Sequence, residues 1–286
     1  MSEEILHGLD PLDAPPPVER KKRMRPIDII GPLMIFALFL GLWEYIRRDG
    51  LRRFFNKPKF LVPSPVTVVD KFFSNKIIHD RLIGGLGWTT LVSVIGLLIA
   101  IIIGIALAVL LSQSKWIERS IFPYMVALQA IPILAIVPLI GTVLGYGMSA
   151  RIFVCVMISI FPIVTNTLFG LMSAESSQHD LFTLRKASRW TRLRKLQFPA
   201  AMPSIFTGFR ISAGLSVIGA VVGEQLFQQG SKPGLGIVMD QFRQKAIWEG
   251  TYAGLIIASL LGIFMFVFFG WLSKVVVGHW YESNRS

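Results

Sequence analysis

With one cysteine, four histidines and few charges, this chain has few ways to do chemistry. Cys155 stands alone in an apolar run, which excludes an intramolecular disulfide and a thiol metal cluster. His7, His79, His179 and His279 are scattered and set no metal-ligand spacing. No G-x-x-x-x-G-K-[ST] occurs, so no P-loop holds ATP here. "GSKPGLG" (230–236) has its lysine in the wrong place for one and reads as a turn in an outer loop. Neither H-E-x-x-H nor G-x-S-x-G is present, and no nucleophile is set beside a base. The expectation is a non-enzyme with no catalytic residue, no metal and no cofactor of its own.

Charge is the next scarcity. Asp, Glu, Lys and Arg make up 16% of the residues and hydrophobic side chains 53%, where a soluble domain carries about 25% charged residues. Long apolar runs fill 29–45, 91–111 and 253–272. About 20 residues of helix cross the roughly 30 Å hydrocarbon core of a bilayer. The chain therefore reads as an all-α, multi-pass membrane protein. Its net charge of +12 is loop charge that sets topology, not a nucleic-acid surface. No secretory signal is apparent, since no small-x-small cleavage site follows the first apolar segment.

Six transmembrane helices are expected, at about 29–46, 88–112, 121–146, 151–173, 203–227 and 253–276. The division that follows is a disordered cytoplasmic tail (1–28), a first span with its outer loop (29–87), a core (88–280) and a short tail (281–286). Within the core, residues 174–202 form a basic loop. Placing both termini and this loop in the cytoplasm puts 15 Lys and Arg on that side against 13 on the other. The dense basic loop, within reach of membrane ends, decides the orientation.

Spacing within the spans adds detail. Gly96, Ala100, Gly104, Ala108 and Ser112 recur every four residues in the second span, and Gly254, Ala258 and Gly262 in the sixth. Such ridges let helix backbones approach closely in lipid. Pro132 and Pro138 interrupt the third span and Pro162 the fourth, freeing carbonyls that must be satisfied against protein or a wet cavity. Gln129, Thr165, Asn166 and Thr167 sit beside these kinks, either as interhelical hydrogen bonders or as the lining of a polar passage. Arg210 and Glu224 in the fifth span are 14 residues apart, 40° short of four turns and about 21 Å along the axis. A shared face towards the bundle interior is expected, each with its own partner, as structural contacts or as part of a pathway.

The basic loop has a period of three: Leu181, Leu184, Ala187, Trp190, Leu193 and Leu196. One straight helix cannot keep that row on one face. Two short helices with a break near 188–190 can, with Asp180 as N-cap of the first, Pro199 stopping the second and Pro203 in the first turn of the fifth span. An ordered basic loop of this kind rests on lipid headgroups or is gripped by a cytoplasmic partner.

This stretch resembles the cytoplasmic coupling loop of the inner-membrane permeases of ATP-binding-cassette importers, whose pattern is E-A-A, three residues, G, nine residues, I-x-L-P. Asp180-Leu181-Phe182 occupies the E-A-A position, Lys186 the glycine and Leu196-Gln197-Phe198-Pro199 the close. "ASRW" (187–190), "FPAAMPSIFTGFRI" (198–211), Glu224, "LVPSPVTVV" (61–69), "LQAIPILAIVPL" (128–139) and "FPIVTNTLFGL" (161–171) are similar to the nitrate, taurine and aliphatic-sulfonate branch. The resemblance implies coupling residues Asp180, Leu184, Lys186, Ala187, Ser188, Arg189, Trp190 and Pro199. It implies a cell inner membrane location, a second permease subunit, cytoplasmic ATPase subunits that carry the ATP, and an external solute-binding protein. The solute would be a small anion such as a sulfonate, taurine or nitrate, or else a thiamine-precursor pyrimidine. Two departures stand out: Lys186 replaces a glycine, and Leu-Phe is bulkier than Ala-Ala. A stand-alone secondary transporter would call for internal repeats, and a membrane scaffold would need no polar passage.

Overall fold

A computed structural model describes residues 27–50, 53–54, 56, 58–229 and 232–282. Nearly all of the expected N-terminal tail, and residues 283–286, lie outside the described residues. The described chain is helical throughout. In order come α1 (Ile27–Tyr45), α2 (Pro65–Ser74), α3 (Lys76–Ser112), α4 (Lys115–Ala130), α5 (Ile133–Leu144), α6 (Met148–Leu171), α7 (Ser176–Leu184), α8 (Arg189–Arg192), α9 (Phe198–Leu226), α10 (Leu235–Gln244) and α11 (Trp248–Glu282).

Among the described residues, five helices are long and apolar enough to cross a membrane: α1, α3, α6, α11 and the continuous run Arg189–Leu226. The expected third span is the sixth crossing, broken in two. Pro132 cannot continue α4 and instead stands in extended backbone as the N-cap of α5. The second span begins at Lys76, twelve residues before its expected start at 88. Asn75 explains this, because its side chain accepts from the amides of Ile77 (3.0 Å) and Ile78 (3.3 Å). The segment "LVPSPVTVV" is a helix start as well: Ser64 Oγ accepts from the Thr67 amide at 3.1 Å, and Pro65 fills the first helical position.

The core is built from α3, α6, α9 and α11, with α6 and α9 the most extensive pairing. The ridge on α3 does what its spacing suggests. Gly96, Ala100, Gly104 and Ala108 are buried, and a Cβ on Gly96 would collide with Cys155 of α6. From the other side a Cβ on Gly219 of α9 would stand 2.7 Å from Cys155 Cα. The lone cysteine is thus the filler where three backbones meet, its Sγ bonded to the Ser216 carbonyl at 3.2 Å. Further along the same seam, a Cβ on Gly208 would lie 2.9 Å from the Pro162 carbonyl. The ridge on α11 is less regular: Gly254 packs on Met239, while Gly262 faces open space.

The first helix stands apart, largely exposed. It is tied at one end, where the Trp43 indole donates to the Pro63 carbonyl at 3.0 Å and leans on Tyr252. Exposed leucines on such a helix cost nothing in lipid, whose tails are as apolar as they are.

Two glycines of α9 separate packing from propensity. Replacing Gly219 by Ala should lower the thermal midpoint in detergent, because the new methyl meets the Cys155 backbone and overpacking costs about 1–3 kcal/mol. Gly214→Ala, with nothing within 4 Å, should leave the midpoint unchanged or raise it. Equal behaviour of the two variants would contradict this packing.

Candidate functional site

Three groups of polar residues are placed by this fold: the basic loop, a buried knot at the opposite end of the bundle, and the proline kinks between them.

The loop is ordered from Ser176 to the start of α9. Asp180 lies inside α7 and does not cap it; the chain turns in earlier, at Glu175. The end of α7 is the informative part. Lys186 has φ 50°, its amide bonds to the Thr183 carbonyl (2.9 Å), and the Ala187 amide reaches back to Phe182 (3.0 Å). This paired 5→2 and 6→1 closure is the Schellman motif, whose left-handed position is usually glycine. A lysine there holds the same turn at a backbone cost of about 1–2 kcal/mol. Ser188 then caps α8, its Oγ accepting from the Thr191 amide at 3.2 Å. Arg192 ties the two helices by donating to Thr183 Oγ1 at 2.8 Å.

The break thus falls at 185–188, just before its expected position, but no stop follows at Pro199. A π turn over Leu193–Gln197 carries α8 directly into α9, with Pro199 in the first turn of that helix. The extra residue in the turn lets the backbone pass a ring that has no N–H and would crowd the carbonyl one turn back. The row of apolar residues is split by this geometry. Leu193 is buried against Leu171, Ala201 and Ile205 and Leu196 is buried as well, whereas Leu181, Leu184 and Trp190 are exposed, Leu184 at 81%. Lys186, Ser188 and Arg189 are exposed beside them, and Ala187 is half-buried.

At the other end, Glu224 is fully buried. Its carboxyl group accepts from Thr89 Oγ1 on α3 (2.9 Å) and from the Gly236 amide in the first turn of α10 (2.8 Å). The Thr89 hydroxyl in turn accepts from the Leu235 amide at 2.8 Å. A side chain at 234 would fall on the carboxyl group itself, and one at 236 on the Val221 carbonyl. "GSKPGLG" is therefore no ordinary turn: its last residues are the cradle of a buried acid, formed by a helix N-terminus. Arg151 completes the knot. One of the 13 Lys and Arg that the expected topology puts on the outer side, it is 1% exposed. It donates through Nε to the Phe227 carbonyl (2.7 Å) and through Nη1 to that of Lys232 (3.2 Å), and its charge attracts Glu224. The signal for the knot was a Gly-Leu-Gly step at the start of an amphipathic helix, ten residues after a membrane-buried acid. On the exposed side of that helix, Arg243 hydrogen-bonds Asp240 and holds its carboxyl below the usual aspartate range.

Arg210 does not share the interior with Glu224, which corrects the shared-face expectation. It is exposed on the surface of α9, its guanidinium 4.0 Å from the centre of the Phe266 ring. Along α9, Glu224 meets Thr89 of α3 and the start of α10, whereas Arg210 lies against Phe266 of α11. Asn166 and Thr165 bond back to their own helix, Asn166 Nδ2 to the Pro162 carbonyl (2.8 Å) and Thr165 Oγ1 to that of Phe161 (3.0 Å). Among the described residues they hydrogen-bond to no other helix. Gln129 is exposed near the end of α4.

Two substitutions test these placements. Lys186→Gly should stabilise the loop, raising amide protection at 186–187 in hydrogen exchange by about 1 kcal/mol; unchanged protection would deny the left-handed turn. Thr89→Val, of equal shape, strands the Leu235 amide and a buried acid, and should cost about 3 kcal/mol or more in detergent unfolding. Thr89→Ser should cost far less.

A family model described as "Binding-protein-dependent transport system inner membrane component" matches residues 96–278. The chain is 32% identical to a formylaminopyrimidine transport permease protein of Halalkalibacterium halodurans, over 85% of this chain and 92% of that one. A nitrate import permease protein of Synechocystis is 30% identical over 87% of this chain and 90% of its own length. A putative aliphatic sulfonates transport permease protein of Bacillus subtilis is 26% identical, with 80% of each chain covered.

Proposed function

The chain belongs to the family of binding-protein-dependent transport system inner membrane components, and from that premise we propose how this permease subunit of an ATP-binding-cassette import system is driven. The driving handle is the loop from Ser176 to Pro199. Its exposed Leu181, Leu184 and Trp190, ringed by Arg185, Lys186 and Arg189, form an apolar patch with a basic rim on an ordered scaffold. The observation that carries the reading is the continuity of this patch with a spanning helix. Motion imposed on α8 passes through the π turn into α9 without an intervening flexible joint.

ATP binding and hydrolysis belong to separate cytoplasmic subunits in this reading, and this chain holds no cofactor. A second permease subunit, identical or related, completes the passage, and an external solute-binding protein delivers the cargo. The loop and both termini face the cytoplasm, across the cell inner membrane. Alternation between outward and inward openings needs two packings of nearly equal energy. The broken crossing at Pro132 and the kink at Pro162 are places where packing can change.

The cargo is a small solute of the sulfonate, taurine or nitrate kind. A second reading, a thiamine-precursor pyrimidine, is favoured by the similarity to the formylaminopyrimidine permease.

Reconstitution with the partner ATPase tests the handle. Ala187→Glu and Arg189→Glu should each reduce ATP-dependent uptake by about tenfold or more, since a like or buried charge at a contact costs at least 1.4 kcal/mol. Assembly of the bundle should remain unaffected. Uptake that persists without any ATPase would overturn the importer reading. Unchanged coupling in both variants would place the handle elsewhere.

A further inference from the structure

Arg210 is the charged side chain that the coupling loop and the buried knot leave unused. It lies twelve residues beyond Phe198 and sixteen before Leu226, near the middle of α9. Phe266, beneath its guanidinium, is eighteen residues beyond Trp248 and sixteen before Glu282, near the middle of α11. The charge is therefore far from both ends of the bundle, yet it is exposed on the surface of this chain. Ionisable groups at that depth face protein or a water-filled cavity.

What balances the charge is not in this chain. Among the described residues no carboxylate lies within ion-pair distance of Arg210. The other acids of the spanning helices, Asp28, Glu44, Asp80, Glu249 and Glu282, lie towards helix ends. Glu224 is engaged in its own knot. A second copy of the chain could therefore bring no mid-helix carboxylate to the site. An apolar groove of about 600 Å³ adjoins it, lined by Ile211, Gly214, Ile218, Leu255, Gly262 and Phe266, and offers no counter-charge either.

Where the second subunit is identical, the remaining source of negative charge is the cargo. The guanidinium carbon lies over the Phe266 ring, and among the described residues no carboxylate pairs with its N–H groups. That planar fork matches two oxygens of a single oxyanion. Gly270 keeps the approach narrow but unobstructed: a Cβ there would stand 3.3 Å from Arg210 Nε. We propose that Arg210 is a mid-membrane binding residue for the transported solute, and that this solute is a small oxyanion of the sulfonate or nitrate kind. The α9–α11 face is then one wall of the aqueous passage. This rests on the importer reading for the existence of a passage, and on the position of Arg210 for its chemistry.

The test is a reaction-rate comparison in the assembled permease–ATPase complex in lipid nanodiscs. Thr207→Cys and, separately, Ile211→Cys place a thiol on the exposed face next to Arg210; the unmutated chain, with Cys155 buried, gives the background. With each rate taken relative to the same reagent's rate on a free thiol in solution, anionic methanethiosulfonate ethylsulfonate should react about tenfold faster than the cationic ethyltrimethylammonium reagent, the effect of a charge focused in a cleft. Arg210→Gln in the same backgrounds should abolish that preference and Arg210→Lys should retain much of it. Nitrate or methanesulfonate should slow the anionic reagent only when Arg210 is present.

No reaction at either position would mean that lipid covers this face, and would overturn the proposal. Equal rates for both reagents, or a preference that survives Arg210→Gln, would remove the anion site. Either result leaves the coupling test at Ala187 and Arg189 standing. Conversely, transport without an ATPase would sink the importer reading while the charge preference at Arg210 remained measurable.

Discussion

The bundle depends on helix backbones coming closer than side chains ordinarily permit. Around Cys155, α3 and α9 approach α6 at Gly96 and Gly219, where no Cβ could be accommodated. In lipid, burying leucine gains little, so packing density and hydrogen bonding have to hold the helices together. Small residues supply the first, and the buried serines along the same seam supply part of the second: Ser212 Oγ donates to the Ser159 carbonyl at 2.6 Å. The seam runs on to Gly208 against the Pro162 carbonyl, so the kink in α6 is packed on protein and not exposed to lipid.

Close packing at the centre makes the treatment of charge at either end a separate matter. At one end a carboxyl group is taken fully out of solvent, and four helices cooperate to satisfy it. Thr89 comes from α3, Arg151 from α6, Glu224 from α9, and the first amides from α10. Nothing in the knot is redundant, because a buried polar group without a partner costs more than a formed bond contributes. At the other end the charges are exposed on a loop whose turn is closed by Lys186 in a conformation that glycine would adopt at less cost. The family pattern has glycine at that place, so the chain keeps the backbone geometry and adds a charge to the rim.

The continuity of α8 with α9 joins these two regimes. A proline that would ordinarily end a helix is absorbed by a π turn, and the loop becomes an extension of a spanning helix. The broken crossing of α4 and α5 is the contrasting outcome for Pro132, where the chain opens into extended backbone and starts again. The difference lies in the backbone around each ring: the wider π turn ahead of Pro199 keeps the helix continuous, whereas at Pro132 the chain leaves the helix before α5 begins.

Sequence alone determined the class of the molecule, its six crossings, the α3 ridge and the two-part loop, because these follow from hydropathy over about 20 residues and from local spacing. It also placed Glu224 indoors. Sequence did not reveal that Arg151 is buried with it, that "GSKPGLG" ends in the acid's cradle, or that Arg210 looks outward. Those depend on which neighbours stand within a few ångströms across gaps of up to 146 residues. Spacing gives the angle between two side chains on one helix, but not which neighbouring helix each of them meets. Only the packing of four helices against one another fixes that.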